Sequence, residues 1–86
     1  MNLVYAASFR RDVKRLSPEV RRRMEKQLGL FQANPRHPSL NMEKLEGEAG
    51  VWSIRVTRNF RITFLLQGDT ATLRRVATHD EAYRRP

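Results

Sequence analysis

Cysteine is absent from this 86-residue chain, which removes disulfides and thiolate metal sites and fits a reducing compartment. Only two histidines, His37 and His79, are present, so a zinc site is not expected. No apolar run approaches the ~20 residues of a membrane-spanning helix, and no membrane role is expected. The opening MNLVYAASFRRD puts apolar residues before the charges, the reverse of a secretory leader, so the expected location is the cytoplasm. Glycine-rich phosphate loops, nucleophile–histidine–acid triads, repeats and low-complexity linkers are also missing. Neither a metal nor a small-molecule cofactor is expected.

Acidic residues are scarce too, and here the sequence turns informative. Seventeen Lys and Arg face nine Asp and Glu, a net charge of +8. Lysine accounts for only Lys14, Lys26 and Lys44 of these cations. Arginine's planar fork matches phosphate or carboxylate oxygens two at a time, so this bias favours anionic partners. The distribution is uneven: nine cations and three anions in residues 1–36, one and three in 37–50, seven and three in 51–86. A merely soluble basic surface is one explanation. A polyanion partner, whether RNA, DNA or an acidic protein, is the other. The length leaves room for one domain, residues 1–86, and the 40% hydrophobic content is enough to give it a core.

Along the chain, residues 2–6 (NLVYA) read as a short strand. Ser8 is a plausible cap for a first helix with Phe9, Val13 and Leu16 on one face. Ser17-Pro18-Glu19 is a stronger start signal: a cap, proline at the first helical position, then an acid in the first turn. The helix that follows carries Val20, Met24, Leu28 and Phe31 on one stripe and ends at Asn34-Pro35, with Arg21, Arg22 and Arg23 read as a solvated face. Residues 34–41 read as a stiff loop holding His37, and 43–47 (EKLEG) as a short edge strand. The period then changes to two. Trp52, Ile54 and Val56 point one way and Ser53, Arg55 and Thr57 the other. Phe60, Ile62, Phe64 and Leu66 alternate against Arg61, Thr63 and Leu65. Arg58-Asn59 and Gly68-Asp69 supply tight turns, and Thr70–Thr78 is the last strand. Along it Arg74 would point towards the helices, so a bulge or an edge position is expected there.

The order β-α-α-β-β-β-β implies an α+β fold: a curved antiparallel sheet with two N-terminal helices packed on one face. The Trp52/Ile54/Val56 and Phe60/Ile62/Phe64/Leu66 rows should meet the helices. The opposite face should then be open, with Arg55 and Arg61 side by side on it.

Four pieces of the middle and the ending form a known pattern: Asn34-Pro35, Lys44-Leu45-Glu46-Gly47, Trp52-Ser53-Ile54-Arg55 and Phe60-Arg61-Ile62, followed by VATHDEAYRR with its His79-to-Tyr83 spacing. In order and spacing the chain resembles the RelE/ParE superfamily of bacterial type II toxin–antitoxin toxins. Its ending is similar to that of the RelE-like branch that cleaves RNA. The resemblance covers essentially the whole chain. It implies a toxin that cuts mRNA in the ribosomal A site, an mRNA interferase with mRNA and the ribosome as targets and a cognate acidic antitoxin as partner. The superfamily also contains toxins that inhibit DNA gyrase and lack nuclease residues, so the site has to decide between them.

RNA carries its own nucleophile, the 2′-OH. Cleavage needs a base, an acid and one or two cations on the phosphate. Candidate catalytic residues are His79, Arg61, Arg55, Tyr83 and Asp80; Arg55, Arg61 and Arg75 are the phosphate candidates. His79 can act as general acid or base near neutrality, or be a hydrogen-bonded residue at a strand end. Asp80 could orient its ring or cap the turn. Tyr83 could stack on a base, share a proton, or pack the tail onto the sheet. Arg55 and Arg61 could be a solvated pair, but adjacent like charges on a sheet are unfavourable and ask for an anion. Trp52 is read as core. Three functions remain open on these residues: a ribosome-dependent endoribonuclease, a gyrase-binding toxin, and a plain RNA-binding module. A plain module should expose sheet aromatics, which Trp52, Phe60 and Phe64 do not.

Overall fold

The computed structural model describes residues 1–86. The long helix starts where its signals predict. Ser17 accepts a hydrogen bond from the Val20 amide at 3.2 Å, Pro18 fills the first turn, and the helix α2 runs Pro18–Ala33. Met24, Leu28 and Phe31 on its stripe are buried, with Val20 packed at their margin. The first helix, α1 (Ala7–Lys14), is different in detail. Its cap position is Ala6, which makes no side-chain cap bond. Ser8, expected to cap it, instead donates its hydroxyl to the Arg74 carbonyl across the molecule.

The strands are β1 (Asn2–Tyr5), β2 (Glu43–Lys44), β3 (Val51–Arg55), β4 (Phe60–Gln67) and β5 (Thr70–Thr78), and the sheet order is β1-β5-β4-β3-β2. The sheet is mixed, which corrects the antiparallel expectation: β1 runs parallel to β5, pairing Leu3 with Ala71 and Tyr5 with Leu73. A hairpin must be antiparallel, but two helices and three strands separate β1 from β5 along the chain, so nothing local fixes its direction. The β2 strand is also shorter than EKLEG. It ends at Lys44, and Gly47 lies in the following turn with φ of 81°, a left-handed conformation that favours glycine. The loop after α2 contains a single 3-10 turn, Pro38–Leu40, that inserts Leu40 fully into the core.

The alternation within β3 and β4 is as expected. Ile54, Val56, Ile62 and Phe64 are buried against the helices, with Trp52, Phe60 and Leu66 packed around them. The rings of Phe31 and Phe64 meet at 4.9 Å, a tilted aromatic contact that fixes α2 over the sheet centre. The bulge falls where Arg74 required one. Thr63 pairs with Arg75 and Phe64 with Leu73, leaving Arg74 unopposed.

The opposite sheet face is not open as expected. The last residues form a third helix, α3 (His79–Arg84), rather than a tail, and it folds back across that face. Its Ala82 is fully buried, and so are Ser53 and Thr63 of the supposedly open row. Thr63 donates its hydroxyl to the Pro86 carbonyl at 2.9 Å. At the hairpin end of the face Arg55 pairs directly with Arg61, and both are half-buried.

Candidate active site

Three elements converge at the β3–β4 hairpin. Strand β5 ends opposite Phe60, and the His79 amide donates to the Asn59 carbonyl at 2.7 Å, which starts α3 at the hairpin tip. Thr78 caps the helix, accepting from the Glu81 amide. One turn separates His79 from Tyr83, so their rings share a helix face. They stack at 4.2 Å between centroids and 17° between planes. The His79 side chain remains 49% exposed, held by its neighbour yet reachable by a substrate.

Tyr83 does more than pack. Its hydroxyl accepts from Ser53 at 2.9 Å and donates to a Glu43 carboxylate oxygen at 2.8 Å. Burial is the main cause that raises its pKa above the usual tyrosine value; the Ser53 bond pulls it down, the bond and charge of Glu43 push it up, and the nearby Arg61 charge lowers it. The phenol is therefore a protonated donor at neutral pH. Glu43 also accepts from the Asn41 side-chain amide at 3.2 Å, so the carboxylate is positioned from two sides.

The expected residues are not all brought together. Arg61 lies beside Tyr83, but one terminal nitrogen, Nη1, is spent on the carbonyls of Thr57, Arg58 and Phe60 at 2.9, 3.1 and 3.0 Å. Its Nε and Nη2 keep their protons free. The Arg55 side chain makes no hydrogen bond or ion pair within the chain, while its carbonyl accepts from Gln27 at 2.8 Å. Asp80 stands 3.6 Å from His79 Nδ1 and is 89% exposed. That is too long for a hydrogen bond, so its orienting role is weak, and its place in the first turn of α3 complements the helix amides.

Arg75, a phosphate candidate by sequence, has its guanidinium engaged within the fold. Its Nε and Nη2 grip Asp12 at 2.6 and 3.3 Å, Nη2 also reaches Glu81 at 3.1 Å, and Nη1 donates to the Arg85 carbonyl at 3.1 Å. Asp12 further accepts from the Val76 amide at 3.1 Å. The paired Asp12 holds Arg75 still more firmly protonated against the opposing effect of burial. The reason is edge chemistry. Strand β1 covers β5 only as far as Leu73, and beyond it Ser8 and Asp12, one helical turn apart on α1, take up the Arg74 carbonyl and Val76 amide that β1 leaves bare.

Sequence reasoning missed Glu43, Ser53 and Asp12 as partners, and it missed α3 itself. One signal was present for α3: Thr78-His79-Asp80-Glu81 has the S/T-x-x-E spacing of a capping box. Nothing comparable marks Glu43 or Ser53, whose roles exist only once α3 lies on the sheet.

A mixed five-stranded sheet with two helices on one face matches the fold of RelE-like toxins. A family model described as the ParE-like toxin domain matches residues 18–85. The chain belongs to that family: it is a toxin of the toxin–antitoxin kind, on the fold shared by RelE, YoeB and YafQ. The crystal structure of the RelB–RelE antitoxin–toxin complex from Methanococcus jannaschii contains a chain 26% identical, with a TM-score of 0.77 and 94% and 95% of the two chains covered. The YoeB/ParE toxin from Agrobacterium tumefaciens is 22% identical, with a TM-score of 0.76 and coverage of 92% and 99%. The DinJ–YafQ complex of E. coli gives 16% identity and a TM-score of 0.79 over 95% and 96%; these two likenesses speak to the fold alone. A search of curated protein sequences gives no match. No helix is long and apolar enough to cross a membrane.

Proposed function

We propose that this toxin is a metal-independent endoribonuclease that cuts mRNA on the ribosome and so halts translation. The observation that carries the reading is the His79–Tyr83 stack, with the tyrosine hydroxyl on Glu43 and Arg61 and Arg55 alongside. The reaction would join the 2′-oxygen to phosphorus and break the bond to the 5′-oxygen, leaving a 2′,3′-cyclic phosphate and a 5′-hydroxyl. Two proton carriers and a cation are what it needs. The Glu43 carboxylate is the candidate base for the 2′-OH. His79 is the candidate acid for the leaving 5′-oxygen. The free donors of Arg61 and the unpaired Arg55 would hold the phosphate oxygens as charge builds on them. Tyr83 keeps the imidazole in place and orients Glu43.

His79 stands on an open surface, so the RNA has to be presented to it. That is the part we assign to the ribosome. A net charge of +8 with unpaired arginines at the site also calls for a cognate acidic antitoxin that covers them, as the RelB–RelE and DinJ–YafQ complexes suggest by analogy. The family's ParE-like description supports a second reading, a DNA gyrase inhibitor without chemistry. Such a toxin has no use for a poised histidine. The test is induced expression with primer extension on a reporter mRNA. Discrete breaks in the parent should fall by roughly 10²–10⁴ in rate in His79→Ala, with antitoxin binding unchanged. Intact mRNA together with lost DNA supercoiling would install the gyrase reading.

A further inference from the structure

Beyond the hairpin tip from His79, between α2 and the turn that joins β3 to β4, lies a cleft of about 1030 Å³. Its walls carry Arg23 and Lys26 from α2 and Arg58 from the turn, with Asn59 at the rim. Its floor is the buried Gln27, which ties α2 to the Ser39 and Arg55 carbonyls at 3.3 and 2.8 Å. Three arginines of the chain spend their guanidinium groups within the fold: Arg21 reaches the Val13 carbonyl, Arg61 the hairpin carbonyls, Arg75 its two acids. Arg23, Lys26 and Arg58 have none. The one acid on the wall, Glu19, makes no ion pair with any of them.

With Arg55, also on the lining, four cations without an ion pair share one cleft, and an anion there would relieve their mutual repulsion. The cleft is also continuous with the site. The same turn that lends Arg58 and Asn59 to its rim accepts the His79 amide on its other side. We propose that this cleft is a second RNA-binding subsite, in which Arg23, Lys26 and Arg58 hold backbone phosphates of the strand being cut, a few nucleotides away from the linkage that faces His79. The strand crosses the hairpin tip between the two. The inference rests on the nuclease reading for the identity of its ligand. Phosphates are the expected contacts, because the walls are lined mainly by charged and polar side chains.

The experiment uses single-stranded RNA made uncleavable by 2′-O-methyl groups, in a length that covers only the His79 face (about three nucleotides) and one that reaches the cleft (about ten). Binding to parent and to Arg23→Ala/Lys26→Ala/Arg58→Ala is measured across a salt series. All three residues are exposed, so the variant should fold, and a melting curve verifies it. Each phosphate contact contributes about 0.7 to the slope of log affinity against log salt. The variant should therefore lose about 2 from that slope with the long RNA, bind it at least about tenfold more weakly at low salt, and bind the short RNA as the parent does. An unchanged slope overturns the subsite. So does equal weakening with both lengths, which would mark a general loss of charge, or a preference for duplex over single-stranded RNA in the parent. Primer extension keeps the two readings apart. A parent that binds long RNA through the cleft but cuts nothing loses the nuclease and keeps the subsite, and a parent that cuts while the variant keeps its slope does the opposite.

Discussion

Arg75 and Arg55 lie on strands of one sheet in a chain rich in arginine, and their circumstances could hardly differ more. Arg75 is 17% exposed in its side chain and spends every guanidinium nitrogen on Asp12, Glu81 and the Arg85 carbonyl. Arg55, at the hairpin end, has no partner for its side chain and faces Arg61 across the ladder. The first is mortar. It joins α1, β5 and α3, and α3 carries His79 and Tyr83. The second is a charge held ready. Total charge cannot separate the two roles, because a guanidinium is useful to a substrate only when the protein leaves it unsatisfied, and an acid 63 residues away in sequence decides that for Arg75.

The largest expected effects come from the free side of this comparison. Arg55→Ala should lower single-turnover cleavage of ribosome-bound mRNA by roughly 10²–10³, the usual loss for one preorganised charge, and leave the melting temperature nearly unchanged. Arg61→Ala should lower cleavage as much and also loosen the hairpin, since three carbonyls lose their donor. Full activity in a folded Arg55→Ala would erase the distinction between the two arginines.

On the paired side the order of effects should reverse. Asp12→Ala leaves Arg75 and the Val76 amide without their acceptor in a nearly buried place, which should cost about 2–4 kcal/mol in denaturant unfolding. Cleavage should fall only as far as α3 loosens. A variant as stable as the parent would show that the clasp does not hold the helix.

The smallest effects concern Tyr83. Tyr83→Phe keeps the stack on His79 and loses the bond to Glu43, so it should slow cleavage less than Tyr83→Ala does. The phenol should ionise above the ordinary tyrosine range in an ultraviolet titration, because burial and Glu43 both oppose the phenolate. With a folded pKa above the unfolded one, its contribution to stability is intact below pH ~10 and fades as pH rises through the folded value. Glu43→Gln should move the titration back towards normal. An unmoved titration would take Glu43 out of contact with the phenol.

The helices and the two long hairpin strands were legible because each is written locally. Ser17-Pro18-Glu19 specifies a helix start whatever it packs on, and alternation from Trp52 to Leu66 specifies which face is wet. Even the irregularity at Arg74 could be read as a bulge or an edge position, since a regular central strand would have buried a charge; the register shows the bulge. What could not be read depends on segments far apart meeting. The direction of β1 is set by β5, some 68 residues later in the register of Asn2 with Thr70. The burial of Ser53 and Thr63 depends on α3 covering them, and α3 has one apolar core residue, Ala82, too little for a periodic pattern. The candidate site straddles this divide. His79, Tyr83, Arg55 and Arg61 were identifiable by type and spacing, whereas Glu43 is an exposed acid on a two-residue strand that only the tyrosine hydroxyl distinguishes from Glu46 and Glu48.

In the proposed reaction the nucleophile is the 2′-hydroxyl of the message itself, deprotonated by Glu43, with His79 on the leaving 5′-oxygen and the arginines on the phosphate. The most direct measurement is cleavage by the purified toxin of ribosome-bound mRNA carrying a single 2′-deoxy nucleotide at the mapped cut site, beside the all-ribose message. The account predicts cutting of the ribose message, with a cyclic phosphate on the upstream fragment, and none at the deoxy position. Cutting at the deoxy linkage, or no cutting of either message, would contradict it.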